Sequence, residues 1–172
     1  LKRTGWVLQA DPNYQLELAW EPNDPRWSQQ DALRVIRCPL GWDYWRGGPN
    51  FIAGILDTGV LHTHPDLQAR LLSGWDFGND DDDPSDPFGH GTFVTGIAGA
   101  VTNNGVGIAA VSPEGKILPV KVFTDAGQGF LTDILDAIAY AVDQGVHVIN
   151  LSLGSNNPLP EMNTALQAAW NA

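Results

Sequence analysis

Residues 51–60 read FIAGILDTGV, and this stretch decides how the chain folds. Phe51, Ile52, Ala53, Ile55 and Leu56 form an apolar run around Gly54, the pattern of a strand buried on both faces. Asp57 closes the run. A carboxylate at the end of such a strand is partly desolvated and is costly unless it is paired. Thr58 and Gly59 then turn the chain, and an aspartate that only caps this turn would be an ordinary use of the residue.

Further along the chain, apolar runs alternate with amphipathic or small-residue stretches: GTFVTGIAGAV, KILPVKVF, TDILDAIAYAVDQG, VHVINLSLG and EMNTALQAAWNA. That alternation is the βαβα pattern of an α/β protein, a mostly parallel sheet with helices on both faces and hence three layers. The clearest helix takes Thr132 as N-cap, carries Asp133 and Asp136 near its positive end, and shows Ile134, Leu135, Ile138 and Val142 as one stripe. Gly145 ends it. KILPVKVF, this helix and VHVINLSLG make one right-handed crossover. In such sheets, chemistry collects beyond the carboxyl ends of the strands, where Asp57 lies.

Residues 1–50 differ in texture, with five of the seven tryptophans and prolines at 12, 22, 25, 39 and 49 that interrupt every periodic run. The formal charge of −11 argues against nucleic acid or an anionic membrane as partner and suits cations. Cys38 stands alone, so no intrachain disulfide is possible. No apolar run approaches a membrane span, and LKRTGWVLQA lacks the core of a signal peptide.

GHGTFVTGIAG, residues 89–99, changes the weight given to Asp57. Gly89 and Gly91 leave His90 uncovered at a helix start, and Gly96, Ala98 and Gly99 let that helix approach neighbouring backbone. A buried aspartate and an uncovered histidine at two strand-to-loop exits are what a base-orienting pair requires: the carboxylate fixes the imidazole's tautomer and stabilises its protonated form. Just before it, six aspartates crowd residues 76–86. Charge runs are usually solvated loops. If this one is ordered it needs a counter-charge, and hard oxygen ligands suit calcium better than zinc or copper.

ILDTGVLHTHPDL and GHGTFVTGIAG together resemble the aspartate and histidine motifs of the subtilisin-like serine proteases, with VTNNGVGIAAVSP, ILPVKVF, GQG and VINLSLG following in the family's order. WDF at 75–77 and residues 103–109 are similar to the thermitase-like branch, and the resemblance spans about residues 22–172. It implies a secreted endopeptidase working by an Asp-His-Ser triad, with Asp57 orienting the base and His90 as general base and later general acid. It also implies that Gly127, Gln128 and Gly129 on one side, and Ser152, Leu153 and Gly154 on the other, hold a polypeptide substrate as an added strand. That mode reads little sequence.

The same resemblance implies two calcium sites. Asp76, Asp81, Asp83 and Ser85 would form one in the acidic loop. Asp24, Asp66 and Asn104, with the carbonyls of Val101, Val106 and Ile108, would form the other and tie the N-terminal arm to the core. Residues 1–21, through Pro12, Asn13 and Tyr14, resemble the end of the family's inhibitory propeptide, an irregular tail being the alternative; residues 22–172 are then the N-terminal part of the peptidase domain. The family's Gly-Thr-Ser nucleophile segment and its oxyanion asparagine do not occur, and Ser28, Ser73, Ser85, Ser112, Ser152 and Ser155 sit in no such context. The chain alone is therefore expected to be inactive, with the remaining C-terminal half of the domain as its partner. A non-catalytic module that binds peptide or calcium is the alternative. An unrelated nucleotide-binding domain fails for want of a glycine-rich phosphate loop.

Overall fold

The strand that begins at Ile52 is covered on both faces, as its apolar run requires. The computed structural model describes residues 20–172, so nearly all of the expected propeptide segment, residues 1–21, lies outside the described residues. Short helices α1 (Asp31–Val35) and α2 (Cys38–Trp42) lead into β1 (Ile52–Asp57). There follow β2 (Trp75–Asp76), α3 (His90–Gly99), β3 (Lys116–Lys121), α4 (Leu131–Asp143), β4 (Val148–Leu151) and α5 (Pro160–Asn171).

The four strands form one parallel sheet in the order β2-β3-β1-β4. Successive side chains of a strand point to opposite faces, and the two cores follow that alternation. Ala53, Ile55 and Ile117 pack against Val94 and Ala98 of α3 on one face. Leu56, Leu118 and Val120 pack against Ile134, Ala137, Ile138 and Ala141 of α4 on the other, with Met162 of α5 behind them. The three-layer α/β arrangement read from the apolar runs is the one observed. A Cβ on Gly99 would fall 2.4 Å from Ile117 Cδ1, so the small residues at the end of α3 do allow a close approach to the sheet.

Two details differ from the sequence reading. α4 starts one residue before Thr132: Phe130, in extended conformation, is its N-cap and supplies no side-chain cap, while Thr132 turns its hydroxyl to Asp133. β2 is an additional short strand, recruited by pairing with the end of β3 rather than by any apolar run of its own. Gly145, at φ +70°, follows α4 as expected.

The N-terminal arm is fastened by tryptophans. Trp27 and Trp42 lie 5.6 Å apart between ring centroids and share a small core with Leu33, Cys38 and Ala109, and Trp42 Nε1 donates to the Val111 carbonyl at 3.0 Å. Arg70, buried, donates to the carbonyls of Ser112, Pro113 and Gly115, which fixes the loop entering β3. Burial lowers its pKa to about 10, with Glu114 opposing.

The far edge is open. Among the described residues β4 pairs only with β1, and Val148 is 54% exposed. A cavity of about 460 Å³ runs between β4 and α5, lined by Val148, Ile149, Leu166 and Trp170.

Candidate active site

Asp57 is the last residue of β1 and pairs in register with Lys121, which in turn pairs with Asp76, so three charged side chains stand at the carboxyl ends of adjacent strands. Asp57 is 1% exposed. Its Oδ1 accepts the Thr58 N–H at 2.7 Å and lies 2.6 Å from His90 Nδ1. His90 opens α3 and keeps 52% of its side chain exposed. One ring nitrogen thus faces a buried carboxylate while the rest of the ring reaches solvent.

Glycines make this pairing possible. A Cβ on Gly91 would lie 2.2 Å from the Gly59 carbonyl oxygen and 3.1 Å from Asp57 Oδ1, so any side chain there would push α3 off the end of β1. Gly89 takes φ +84°, a left-handed turn that L side chains rarely adopt.

Asp86 holds the junction together, a role that the residue pattern did not suggest. Its Oδ1 accepts from the Thr58 hydroxyl at 2.8 Å and from the N–H groups of Phe88 and Gly89, and its Oδ2 accepts from the N–H and hydroxyl of Thr92. Thr58 Oγ1 receives the Gly91 N–H in turn. Asp86 therefore ties the residue after Asp57 to the first turn of the histidine helix. Burial works against its charge, but the bonds from Thr92, Thr58 and Gly89 outweigh that and hold its carboxyl below the ordinary value. As one of six aspartates between residues 76 and 86, it carries no signal in the sequence that separates it from its neighbours.

The residues expected to grip a peptide leave the same end of the sheet. Gly127, Gln128 and Gly129 are exposed in the arm between β3 and α4, where Phe123 and Gly129 make an antiparallel bridge. Ser152, Leu153 and Gly154 directly follow β4, with Leu153 half-buried.

The two expected metal regions differ. Asp24 and Asp66 are both buried, at 4% and 2% exposed, and converge on the loop 101–108 from distant parts of the sequence. Asp24 Oδ2 accepts the Asn103 N–H, whereas its buried Oδ1 has no partner among the described residues. Asp66 accepts from the Asn104 side chain at 2.9 Å and from the Ile108 N–H at 3.0 Å, and the Val101 N–H bonds to its carbonyl. Val106 N–H closes a turn on Asn104 Oδ1. No described lysine or arginine forms an ion pair with either carboxylate.

In the acidic loop a counter-charge is already present. Lys121 Nζ, 1% exposed, contacts Asp76 Oδ2 at 2.5 Å and Asp125 Oδ1 at 2.6 Å. Burial works against its charge, and the bonds to Asp125 and Asp76 outweigh that to raise its pKa. Asp81, Asp83 and Ser85 are less buried and fold on one another: Asp81 Oδ1 accepts the Asp83 N–H, and Asp83 Oδ1 the Ser85 hydroxyl. They line a cavity of about 220 Å³ with Asp76, Asn79, Asp86 and Asp125. Nowhere among the described residues do three His, Cys, Asp or Glu side chains converge as a ready-made metal cluster.

A buried carboxylate bonded to one nitrogen of a half-exposed imidazole, at the carboxyl ends of a parallel sheet, is the geometry that orienting a general base requires. The chain matches the Subtilase family, Peptidase_S8, over residues 48–172, and it belongs to that family. It is 43% identical over 166 residues to the thermophilic serine proteinase of Bacillus sp. strain AK1, covering 96% of this chain and 41% of that protein. Against thermitase of Thermoactinomyces vulgaris it is 44% identical over 153 residues, covering 88% and 54%. A solved protease from Pseudoalteromonas arctica PAMC 21717 superposes with a TM-score of 0.77 at 30% identity, covering 87% of this chain and 56% of that one. The chain thus spans about half the length of the relatives it matches. Proteases named as extracellular and as intracellular both occur among them. No described helix is long and apolar enough to cross a membrane.

Proposed function

We propose that this chain supplies the general base, His90, and its orienting carboxylate, Asp57, to a serine endopeptidase whose nucleophile belongs to sequence beyond residue 172. The observation that carries the proposal is the 2.6 Å contact between His90 Nδ1 and a fully buried Asp57 in a subtilase chain. With Nδ1 engaged, the other ring nitrogen is the one that accepts a hydroxyl proton when a serine attacks a peptide carbonyl. It later returns that proton to the leaving amine. Asp57 holds the ring in orientation and stabilises the imidazolium in between.

Polypeptide is the proposed substrate, held as an added strand. β3 and β4 each lie one strand away from β1, so their extensions beyond Asp57 stand roughly 10 Å apart, about two strand spacings, which leaves room for one extended chain. Gly127 to Gly129 and Ser152 to Gly154 are the flanking edges in this reading. The missing C-terminal half is the proposed partner of the open β4 edge, whose apolar cavity against α5 suits a further strand. The chain's own N-terminal segment acts as propeptide, and the parent is secreted. The extracellular relatives favour export and the intracellular ones are its competitor, which fractionation of cells and medium decides.

Calcium fits the Asp24 and Asp66 site best. Two buried carboxylates without a cationic partner, one of them with an orphaned oxygen, call for a cation, and the remaining donors there are hard oxygens. When bound, the ion would supply positive charge that fastens the N-terminal arm to the loop 101–108. In the acidic loop Lys121 already answers part of the charge, so Asp81, Asp83 and Ser85 make the weaker site, with Asp76 shared. The test of function is labelling of the full-length protein by a fluorophosphonate. Labelling is expected in the parent and absent in His90→Ala, and equal labelling of both would sink the assigned base.

A further inference from the structure

We propose that Asp86 is a positioning residue for the reaction: acting through Thr58, it sets where the imidazole of His90 stands against Asp57, and so governs kcat without touching the peptide. This rests on the reading of His90 as general base and Asp57 as its orienting carboxylate. Among the described residues the His90 side chain makes one hydrogen bond, the 2.6 Å contact with Asp57 Oδ1. The place of the ring therefore follows the backbone that carries it. That backbone is the first turn of α3, where N–H groups lack partners within the helix, and Gly89 at the cap has no side chain to offer.

Asp86 and Thr58 supply what the cap does not. Of the five backbone N–H groups from Phe88 to Thr92, four end on these two side chains. Those of Phe88 and Gly89 reach Asp86 Oδ1 at 3.0 and 2.9 Å, that of Thr92 reaches Asp86 Oδ2 at 2.8 Å, and that of Gly91 reaches Thr58 Oγ1 at 2.8 Å. A threonine hydroxyl has one proton to give. Thr58 gives it to Asp86 at 2.8 Å, which turns its lone pairs to Gly91. The Thr58 N–H meanwhile donates to Asp57 Oδ1 at 2.7 Å, the same oxygen that faces His90. Thr58 thus holds the carboxylate on one side and the residue after the histidine on the other, and Asp86 decides where its hydroxyl points.

Both oxygens of Asp86 are taken up inside the junction, the Thr92 hydroxyl being the last donor at 2.7 Å, so its carboxylate offers nothing to substrate. The loop is also fastened without it. The Val60 N–H donates to the Pro84 carbonyl at 2.9 Å, and a Cβ on Gly59 would fall 2.5 and 2.7 Å from the carbonyl oxygens of Pro84 and Ser85. Removing the Asp86 side chain should then loosen the turn that carries His90 and leave the loop in place. A misplacement of about 1 Å in a reacting group costs on the order of a hundredfold in rate.

The experiment measures kcat and KM separately, with the melting temperature, on the full-length protein and one peptide substrate. Asp86→Ala should lower kcat by about tenfold to a hundredfold and leave KM within about twofold. Thr58→Val, which keeps the N–H bond to Asp57 but loses the hydroxyl, should lower kcat in the same way, and Thr58→Ser should restore most of it. The double variant Asp86→Ala with Thr58→Val should be little slower than either alone, as two members of one network require. An unchanged kcat in a folded Asp86→Ala protein overturns the inference, as does a loss carried by KM. Multiplying losses in the double variant overturn the route through Thr58. Should Asp86→Ala fail to fold, the Thr58→Val and Thr58→Ser pair decides: equal rates in both overturn the inference. Each of these results leaves the peptidase reading intact, whereas a parent that hydrolyses no peptide overturns that reading and this inference with it.

Discussion

The junction of β1 with α3 and the edge where β4 meets α5 are opposites. At the junction every buried side-chain polar atom but one is spoken for: Asp57, Thr58, Asp86, His90, Gly91 and Thr92 form one bonded set, packed so closely that Gly91 has no room for a methyl group. The exception is Asp57 Oδ2, buried without a partner among the described residues. At the edge, Val148 and Trp170 are 54% and 86% exposed, and an apolar cavity stands open. The contrast teaches that the geometry joining His90 to Asp57 is complete within the described residues, whereas the β4 edge is left uncovered by them.

The contrast can be broken most severely at the imidazole. His90→Ala in the full-length protein should lower kcat/KM for peptide by about 10⁴-fold or more while leaving the melting temperature nearly unchanged. A comparable loss of stability would mean that His90 is a structural member of the junction. Next in size is Gly91→Ala, which drives a methyl into the Gly59 carbonyl and should destabilise the protein by about 2 to 3 kcal/mol, read by denaturant titration. A neutral result would show that α3 can retreat from β1.

On the other side, Val148→Asp tests whether the edge is covered in the complete protein. A buried, unpaired charge should destabilise by about 2 kcal/mol or more, whereas an edge that stays wet would register less than about 0.5 kcal/mol. The smallest effect expected is that of chelation. Removing calcium should lower stability by about 1 to 2 kcal/mol, a shift of several degrees in melting temperature. Asp66→Asn should abolish that shift, whereas Asp81→Asn should leave most of it; the reverse pattern would move the principal ion to the acidic loop.

How much of this was legible beforehand follows from the kind of signal each element carries. β1, β3 and β4 announce themselves as apolar runs, and α3 and α4 as small-residue or amphipathic stretches, because burial on two faces or one leaves a periodic trace. β2 leaves none: two residues held only by their partner have no period. The start of α4 was misplaced because Thr132 is a better cap by type than Phe130, and the extended backbone at Phe130 overrode residue preference. Asp57 and His90 could be paired in advance because each sits at a strand or helix boundary beside glycine. Asp86 could not, since it is one of six aspartates in a short run and only the folded chain distinguishes the one that bonds to Thr58 and Thr92. Lys121 was hidden in the same way: at the end of an apolar strand its charge looks anomalous until Asp76 and Asp125 arrive from either side.

The parallel pairing of β1 has a kinetic consequence. Its neighbours come late in the chain: Ile52 meets His147 across 95 residues, and Lys116 bonds back to Phe51. Contacts so remote carry a large closure entropy before any of them is rewarded, and sheets assembled this way fold slowly. The first strand must wait, exposed and apolar, for most of this sequence to be made. Any segment able to shelter it in the interval would act on the rate of folding more than on the stability of the finished sheet.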